Sequence, residues 1–470
     1  MIVPFDVEST LAAGLSALEG ERFTEAADAF ARVQQEMPQE IAVALMVANA
    51  WHLSGDAVAE REALLHTYRA SIDDADDASV YQLGAALLDA GAPTEARRCF
   101  ERVVRHRPKD PAALGALAGA TRAEGDPHKA WPIMQRAMAL TSKQPALLLT
   151  AAQIRHALGD LTRARYWLDR AEAIRPEHSP TRLQRALTSL LGGPTAAGWA
   201  DFEHRGLPTP PSTGASPWHG EPLTGQTILV TSEQGQGDNF QFIRFVSNLV
   251  ARGAKRVVVE CHPGALSLFI ASGFDAVPKG QASVTDWYVP MLSLPYRLDI
   301  GADIAGARVP YLHAGVRLAP NSAGQRRLGL VWQGNPAFLA TTLRDFDQTL
   351  LPQLLSLPEI EWVSLQYGAT YTADHHRLKK PEMLSNWLDT ARMLASLDGV
   401  VTVDTGIAHL AGGMGIPTFI LLPFTPDWRW SLGTETTLWY PSARLIRQRA
   451  PRDWASTIAP LLAALHSAFA

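Results

Sequence analysis

Residues 400–426 read VVTVDTGIAHLAGGMGIPTFILLPFTP. Val400, Val401 and Val403 form a short β-branched run that suits a strand buried on both faces of a parallel sheet. Asp404-Thr405-Gly406 stops the strand, and Ile407 to Met414 is compatible with a helix. Gly415-Ile416-Pro417 ends that helix, and Thr418 to Leu422 reads as the next strand. The stretch is a βαβ unit with its tight turn at the carboxyl edge of the sheet, where open α/β sheets bind ligands. The turn offers free backbone N–H groups at a helix N-terminus beside the Thr405 hydroxyl, a ready site for a diphosphate. Asp404 and Thr405 also read as an ordinary N-cap pair, and His409 as a core histidine. The rest of the chain bears on that choice.

The chain has 470 residues, 47% hydrophobic and 19% charged. That is enough for roughly three domains at ~100–200 residues each, with a sizeable core. A formal net charge of −5 and the lack of a long basic run give no support for a nucleic-acid partner. The first ten residues carry no positive charge and no apolar core follows, so no secretory signal is expected. No apolar stretch reaches ~18 residues, so no membrane span is expected. Cys99 and Cys261 are the 2 cysteines and lie far apart, which excludes a disulfide framework and favours a reducing cytoplasm.

Upstream, the sequence repeats. Gly-Asp-like turns recur at Gly20, Gly55-Asp56, Gly91-Ala92, Gly125-Asp126 and Gly159-Asp160, at spacings of 35, 36, 34 and 34. Most are followed by an alanine-rich helix with a large anchor: Glu25-Ala26 with Phe30, Glu95-Ala96 with Phe100, Lys129-Ala130-Trp131, and Arg163-Ala164 with Trp167. Pro38, Pro108 and Pro176 end second helices. A period near 34 residues of paired helices is the tetratricopeptide signature. Five repeats are read, at 8–38, 41–71, 77–108, 111–142 and 145–176, with a closing helix at about 179–191. Resemblance to tetratricopeptide proteins implies a right-handed α-solenoid, residues 1–192, whose groove binds a protein or peptide. A spacer or dimerisation surface is the alternative use.

Residues 193–222 read as a joint. Gly192-Gly193-Pro194 breaks the helical pattern, and Pro208, Pro210, Pro211 and Pro217 mark a loop. Trp199, Phe202 and Trp218 are too apolar for a free linker and are expected to fasten the two halves.

Further on, strands and helices alternate. Thr227 to Thr231, Arg256 to Glu260 and Trp287 to Pro290 read as strands of one block, with a helix over Asn239 to Arg252. Leu328 to Trp332, Glu361 to Gln366, the Val400 strand and a short strand at Leu445 form another, closed by a helical segment from about Asp453 to Ala468. Two such blocks imply two Rossmann-like lobes, 223–320 and 321–470, flanking a cleft. The turn Gly235-Gln236-Gly237-Asp238 follows the first strand. It lacks the Gly-Lys-Ser/Thr of a nucleotide phosphate loop and the third glycine of a dinucleotide fingerprint.

Taken together, that Gly-Asp turn and Asp404-Thr405-Gly406 with His409-Leu410 and Gly415-Ile416-Pro417 resemble the GT-B glycosyltransferases of the heptosyltransferase type. Further motifs in common are Gln241-Phe242, Leu292-Ser293-Leu294-Pro295, Trp332-Gln333-Gly334-Asn335-Pro336, Ser364-Leu365-Gln366 and Pro426-Asp427-Trp428-Arg429-Trp430. Repeats fused to such lobes also resemble protein O-linked N-acetylglucosamine transferases and bacterial tetratricopeptide glycosyltransferases, including flagellin-modifying ones. The resemblance implies that Asp238 is the general base for the acceptor hydroxyl. It implies that Gln333, Gly334, Asn335, Arg344, Gln366, Asp404, Thr405 and Gly406 face the nucleotide-sugar donor. His409, one helical turn inside the diphosphate helix, either contacts phosphate or packs. No Asp-x-Asp metal motif is visible in this half, and no cofactor beyond the nucleotide-sugar substrate is expected. The reading is a cytoplasmic, metal-independent, inverting transferase acting on a protein held by the repeats. The alternative is a non-catalytic adaptor with a degenerate transferase-like domain.

Overall fold

The structure is a computed structural model. It describes residues 6–301, 304, 309–315, 325–334, 343–368, 378–379 and 384–469. The described chain forms two compact units, one ending at Pro176 and one beginning at Glu177.

The first unit is a run of helix pairs: α1 (Val7–Glu19) with α2 (Phe23–Glu36), α3 (Ile41–Ser54) with α4 (Ala57–Ser71), and α5 (Asp77–Asp89) with α6 (Pro93–His106). α7 (Pro111–Ala123) with α8 (Pro127–Leu140) and α9 (Pro145–Ala157) with α10 (Leu161–Ile174) complete it. These are the five expected repeats. The turns inside them need a left-handed residue, and Gly55, Gly91, Gly125 and Gly159 supply it at φ 84°, 73°, 90° and 73°. The first turn differs from expectation. Gly20 keeps φ −85° and the left-handed residue is Glu21, at φ 56°. Asp56, Asp126 and Asp160 accept the N–H groups of Ala59, Lys129 and Arg163, so each turn also caps the helix it starts.

A size rule runs through the pairs. Gly14, Ala48, Gly84, Ala118 and Ala152 occupy equivalent places on the first helices, and Phe30, Leu64, Phe100, Met134 and Leu168, all buried, stand sixteen residues later on the second. Glycine occurs where the later residue is phenylalanine, and alanine where it is smaller. The reason is close approach: a Cβ on Gly14 would lie 2.5 Å from the Phe30 ring, and one on Gly84 would lie 2.9 Å from the Cys99 Cβ and 3.0 Å from the Phe100 ring.

The second unit opens with α11 (Ser179–Leu191) and α12 (Ala196–Phe202). Its first sheet contains β1 (Ser216–Pro217), β2 (Thr227–Thr231), β3 (Arg256–Cys261), β4 (Asp275–Pro278) and β5 (Trp287–Pro290) in the order β1-β5-β2-β3-β4. Every pairing is parallel. The connections carry α13 (Gln236–Phe242), α14 (Val246–Ala251), α15 (Pro263–Ala271) and, after β5, α16 (Leu294–Arg297). The single helix expected over Asn239 to Arg252 starts earlier, at Gln236, and is broken by a 3₁₀ turn at Ile243–Phe245. β1 and β4 lie in stretches with no strand pattern of their own.

The second sheet contains β6 (Arg326–Val331), β7 (Ile360–Ser364), β8 (Gly399–Val403), β9 (Thr418–Leu422) and β10 (Ala443–Arg447), ordered β10-β9-β8-β6-β7 and again wholly parallel. α17 (Leu351–Leu355), α18 (Trp387–Ala395), α19 (Gly406–Gly413) and α20 (Ile458–Phe469) accompany it. β8 and β9 are buried at every residue, which fits their mostly apolar sequences, broken only by Thr402 and Thr418. Leu328, Leu330, Val401, Val403, Phe419 and Leu421 share one core with the α20 residues Ile458, Leu461 and Leu465. β7 ends at Ser364, two residues before Gln366, so Gln366 lies in the loop beyond the strand.

The joint belongs to the second unit. Trp199 and Phe202 are buried, Trp199 stands edge-on to Phe242, Trp428 and Trp439, and its indole N–H donates to the Gly301 carbonyl at 3.1 Å. Trp218 is buried just after β1.

Candidate functional site

In each sheet the strand order reverses at one place, the position at whose carboxyl edge open α/β sheets bind ligands. In the first sheet it lies between β2 and β5. Glu233, in the turn after β2, accepts the N–H of Leu292, just after β5, at 2.8 Å. Arg205 crosses beneath. Its Nε and Nη2 donate to the two Glu233 oxygens at 3.0 and 2.7 Å, and Nη2 also reaches the Ser293 hydroxyl. Both charged side chains are almost wholly buried, so the turn is fixed by a bidentate ion pair.

In the second sheet the reversal lies between β6 and β8. The turns after those strands hold Gln333-Gly334 and Asp404-Thr405-Gly406. The Gln366 side-chain oxygen accepts the N–H groups of Trp332 and Gln333 at 3.2 and 2.9 Å, and Asp345 accepts that of Gly334 at 2.9 Å. Gln366 thus braces the turn. Burial raises the Asp345 carboxyl above its usual range, against the pull of the Gly334 N–H and Arg344. Asn335 lies outside the described residues.

The turns at the two reversals adjoin. α13 and α19 pack closely near their N-termini, so that a Cβ on Gly237 would lie 2.8 Å from the His409 ring and 3.4 Å from Gly406 Cα. Asp238, in the first turn of α13, accepts the Gly235 N–H at 2.9 Å through Oδ2. Its Oδ1 forms an ion pair with Nη2 of Arg429. The expected base and the expected diphosphate turn therefore share one neighbourhood.

Asp404 is buried, 3.5 Å from Arg344 Nη1. Burial and the Asp427 charge push its carboxyl up, and Arg344 and Arg429 oppose them. Thr405 is the N-cap residue of α19, yet its hydroxyl makes no capping bond and sits 3.0 Å from that of Thr402. The N-cap reading of this pair therefore does not describe its side chains. His409 is buried, stacked on Trp430, with Nδ1 2.8 Å from the Tyr440 hydroxyl and Nε2 3.9 Å from Asp404. Burial, with Arg429, Arg244 and Arg344 nearby, holds it far below the usual histidine range, so the ring is neutral at physiological pH.

Arg429 enters the sequence reading only as part of the shared motif Pro426-Asp427-Trp428-Arg429-Trp430. It is buried, and each nitrogen of its guanidinium has a partner: Nε donates to Gln241 Oε1 at 2.9 Å, Nη1 to Asp427 Oδ1 at 2.8 Å, and Nη2 to Asp238. Burial alone would lower its pKa, but Asp427 and Asp238 outweigh that and raise it. Arg244 makes a second cross-connection, donating to the Trp439 carbonyl at 2.8 Å and the Tyr311 hydroxyl at 3.0 Å. Among the described residues no group of His, Cys, Asp and Glu is arranged to hold a metal ion, and no helix is long and apolar enough to cross a membrane.

The first unit carries tetratricopeptide repeats: the tetratricopeptide-repeat family model matches residues 81–145, within the third and fourth helix pairs and up to the start of the fifth. Such repeats point to a protein-binding role. Among curated proteins, FlbA of Caulobacter vibrioides is 25% identical over 357 residues, covering 63% of this chain and 57% of FlbA. The chain thus spans little more than half the length of that relative. Among solved structures, MamA aligns with 36% of this chain and 91% of its own, at 15% identity and TM-score 0.29. YrrB, described as a tetratricopeptide protein with an unusual peptide-binding site, aligns with 37% and 90%, also at 15% and 0.29.

Proposed function

We propose that the α/β part of the second unit is a GT-B glycosyltransferase, with residues 223–320 as the acceptor lobe and 321–470 as the donor lobe. In this reading residues 193–222 dock onto it and the repeats hold its protein acceptor. The observation that supports the reading is the meeting of the two switch-point turns, in which Gly237, the residue before Asp238, packs against Gly406 and His409.

Transfer from a nucleotide sugar needs a base for the acceptor hydroxyl and positive charge for the leaving diphosphate. Asp238 is the base. The N–H groups at the start of α19 and the Thr405 hydroxyl receive the diphosphate. Arg344, 33% exposed and 3.5 Å from Asp404, supplies the positive charge at the turn. Gln333, Gly334 and Gln366 shape the nucleoside side, and His409 supports α19 from behind through Tyr440 and Trp430. These groups need no metal, and inversion follows from a single displacement: the base takes the acceptor hydroxyl proton, the acceptor oxygen bonds the anomeric carbon on the face opposite the leaving group, and the bond to the nucleoside diphosphate breaks.

A second reading has its own support. Both Asp238 oxygens are engaged, and Gln366 and His409 are committed to internal hydrogen bonds. That is how an adaptor with a retired transferase domain would look. The two separate on transfer of label from UDP-, ADP-, GDP- or CMP-sugars to protein in a lysate. The transferase reading expects label on protein, and Asp238→Asn to lower it about 10²–10⁴-fold with an unchanged circular dichroism spectrum. Equal transfer by that variant removes the assignment, and no transfer from any donor favours the adaptor.

A further inference from the structure

Arg429 belongs to the second-sheet side of the unit, in the 3₁₀ turn Trp428–Trp430 that follows β9. Two of its three side-chain partners, Asp238 and Gln241, belong to α13 on the first-sheet side. The third, Asp427, is its neighbour in the same turn and holds it twice, through Nη1 at 2.8 Å and the Arg429 backbone N–H at 3.0 Å. The indole of Trp428 lies under the guanidinium at 4.2 Å. The fork is therefore locked in orientation by its own turn before it meets α13. A guanidinium presents its donors in a fixed plane, so a locked fork imposes a direction on the carboxylate it binds.

Gln241 is a second fixed partner of the fork on α13. It is wholly buried, its Oε1 accepts from Arg429, and its amide Nε2 has no partner. Turning the amide over would set that nitrogen against the arginine donor. The side chain keeps an unsatisfied N–H while its oxygen serves the guanidinium. The Gly235 N–H holds the far oxygen of Asp238 from within its own turn, and Arg429 holds the near one from across the junction.

We propose that Arg429 is the positioning residue for Asp238: a guanidinium locked in the second-sheet turn by Asp427 and Trp428 that fixes the Asp238 carboxylate when the two sheets are together. The inference rests on the transferase reading, and it ties presentation of the base to the contact between the two layers. Arg429 makes its contacts with protein carboxylates and an amide, so it acts through Asp238 and not on the donor.

The test is steady-state kinetics with the donor and acceptor found for the full chain, together with thermal melts. Arg429→Gln is expected to lower kcat by about 10- to 100-fold, the scale of a misplaced catalytic group, with the donor KM unchanged within about twofold. Arg429→Lys, which keeps the charge without the fork, recovers part of that loss. Gln241→Met removes one acceptor from the fork in near-equal volume. It is expected to cost kcat several-fold at an unchanged Tm, which guards against a misfolded Arg429 variant. In melts of Asp238→Asn, Arg429→Gln and the double variant, the double loses less Tm than the two singles together. A raised donor KM with unchanged kcat makes Arg429 a donor contact and overturns the proposal. So does full kcat in Arg429→Gln, or additive Tm losses. If Asp238→Asn is inactive while Arg429→Gln is not, this inference falls and the transferase reading stands. If no nucleotide sugar is turned over or bound, the reading falls and takes the inference with it.

Discussion

In the repeats a buried side chain meets its partner sixteen residues away, as Gly14 meets Phe30 and Gly84 meets Phe100. In the α/β unit the decisive partners are far apart: Asp238 and Arg429 are separated by 191 residues, Arg429 and Gln241 by 188, Arg244 and Trp439 by 195. The repeats use one local rule many times, a small residue against a large one, a left-handed turn and an aspartate cap. The α/β unit uses each long-range contact once. Local rules recur and tolerate variation, as the shift of the left-handed residue from Gly20 to Glu21 shows. Single long-range contacts have no copy, and losing one is felt in full.

The two cysteines break or sharpen this comparison most directly, because one lies in each unit. Burial pushes the Cys99 thiol up to about 12 and, with the Glu260 charge, the Cys261 thiol up to about 11. Neither is expected to react with a disulfide reagent at pH 8 in the folded protein, and both react in denaturant. If the units unfold independently, mass-spectrometric labelling across a urea series gives each cysteine its own midpoint. A shared midpoint contradicts independence. The sign with pH follows from the same burial. The unfolded thiols ionise near their ordinary value, about 9, and the folded ones only above it. Their contribution is complete below that value and is lost as pH rises through about 11 and 12.

A smaller effect is expected at Arg205. Arg205→Gln leaves Glu233 buried without its bidentate partner, at a cost of about 3–5 kcal/mol. The urea midpoint read at Cys261 should fall, with that at Cys99 unmoved. The smallest is Gly84→Ala, about 1–3 kcal/mol, from crowding against Cys99 and Phe100. It should appear at Cys99 and spare Cys261. Loss at the wrong cysteine in either case contradicts the division.

The same contrast governs what could be read from the chain. The five helix pairs, their turns and the strands β2, β3, β5, β8 and β9 carry their signal in neighbouring residues: a 34-residue period, a β-branched run, a glycine after a helix. So do the two turns of the candidate site. β4 and β1 were not legible, because the first is a short strand with mixed burial and the second is two exposed residues held only by pairing with β5. α13 begins at Gln236 and breaks at Ile243 where an unbroken helical pattern is read, because Arg244 turns to bond the Gln241 carbonyl and Trp439. Arg205 reads as an ordinary charged residue and Arg429 only as part of a shared motif, and nothing adjacent announces the partners of either. The Asp427-Trp428-Arg429 triplet beyond a strand end was the one available hint.

The central claim is that the joined turns form a nucleotide-sugar site, and calorimetry of the full chain with UDP-, ADP-, GDP- and CMP-sugars tests it. The account predicts heat from one nucleotide class, retained in Asp238→Asn and weakened at least about tenfold in Arg344→Ala, the ~1.4 kcal/mol of a lost charge-assisted contact. No heat from any donor, or heat indifferent to Arg344, would contradict it.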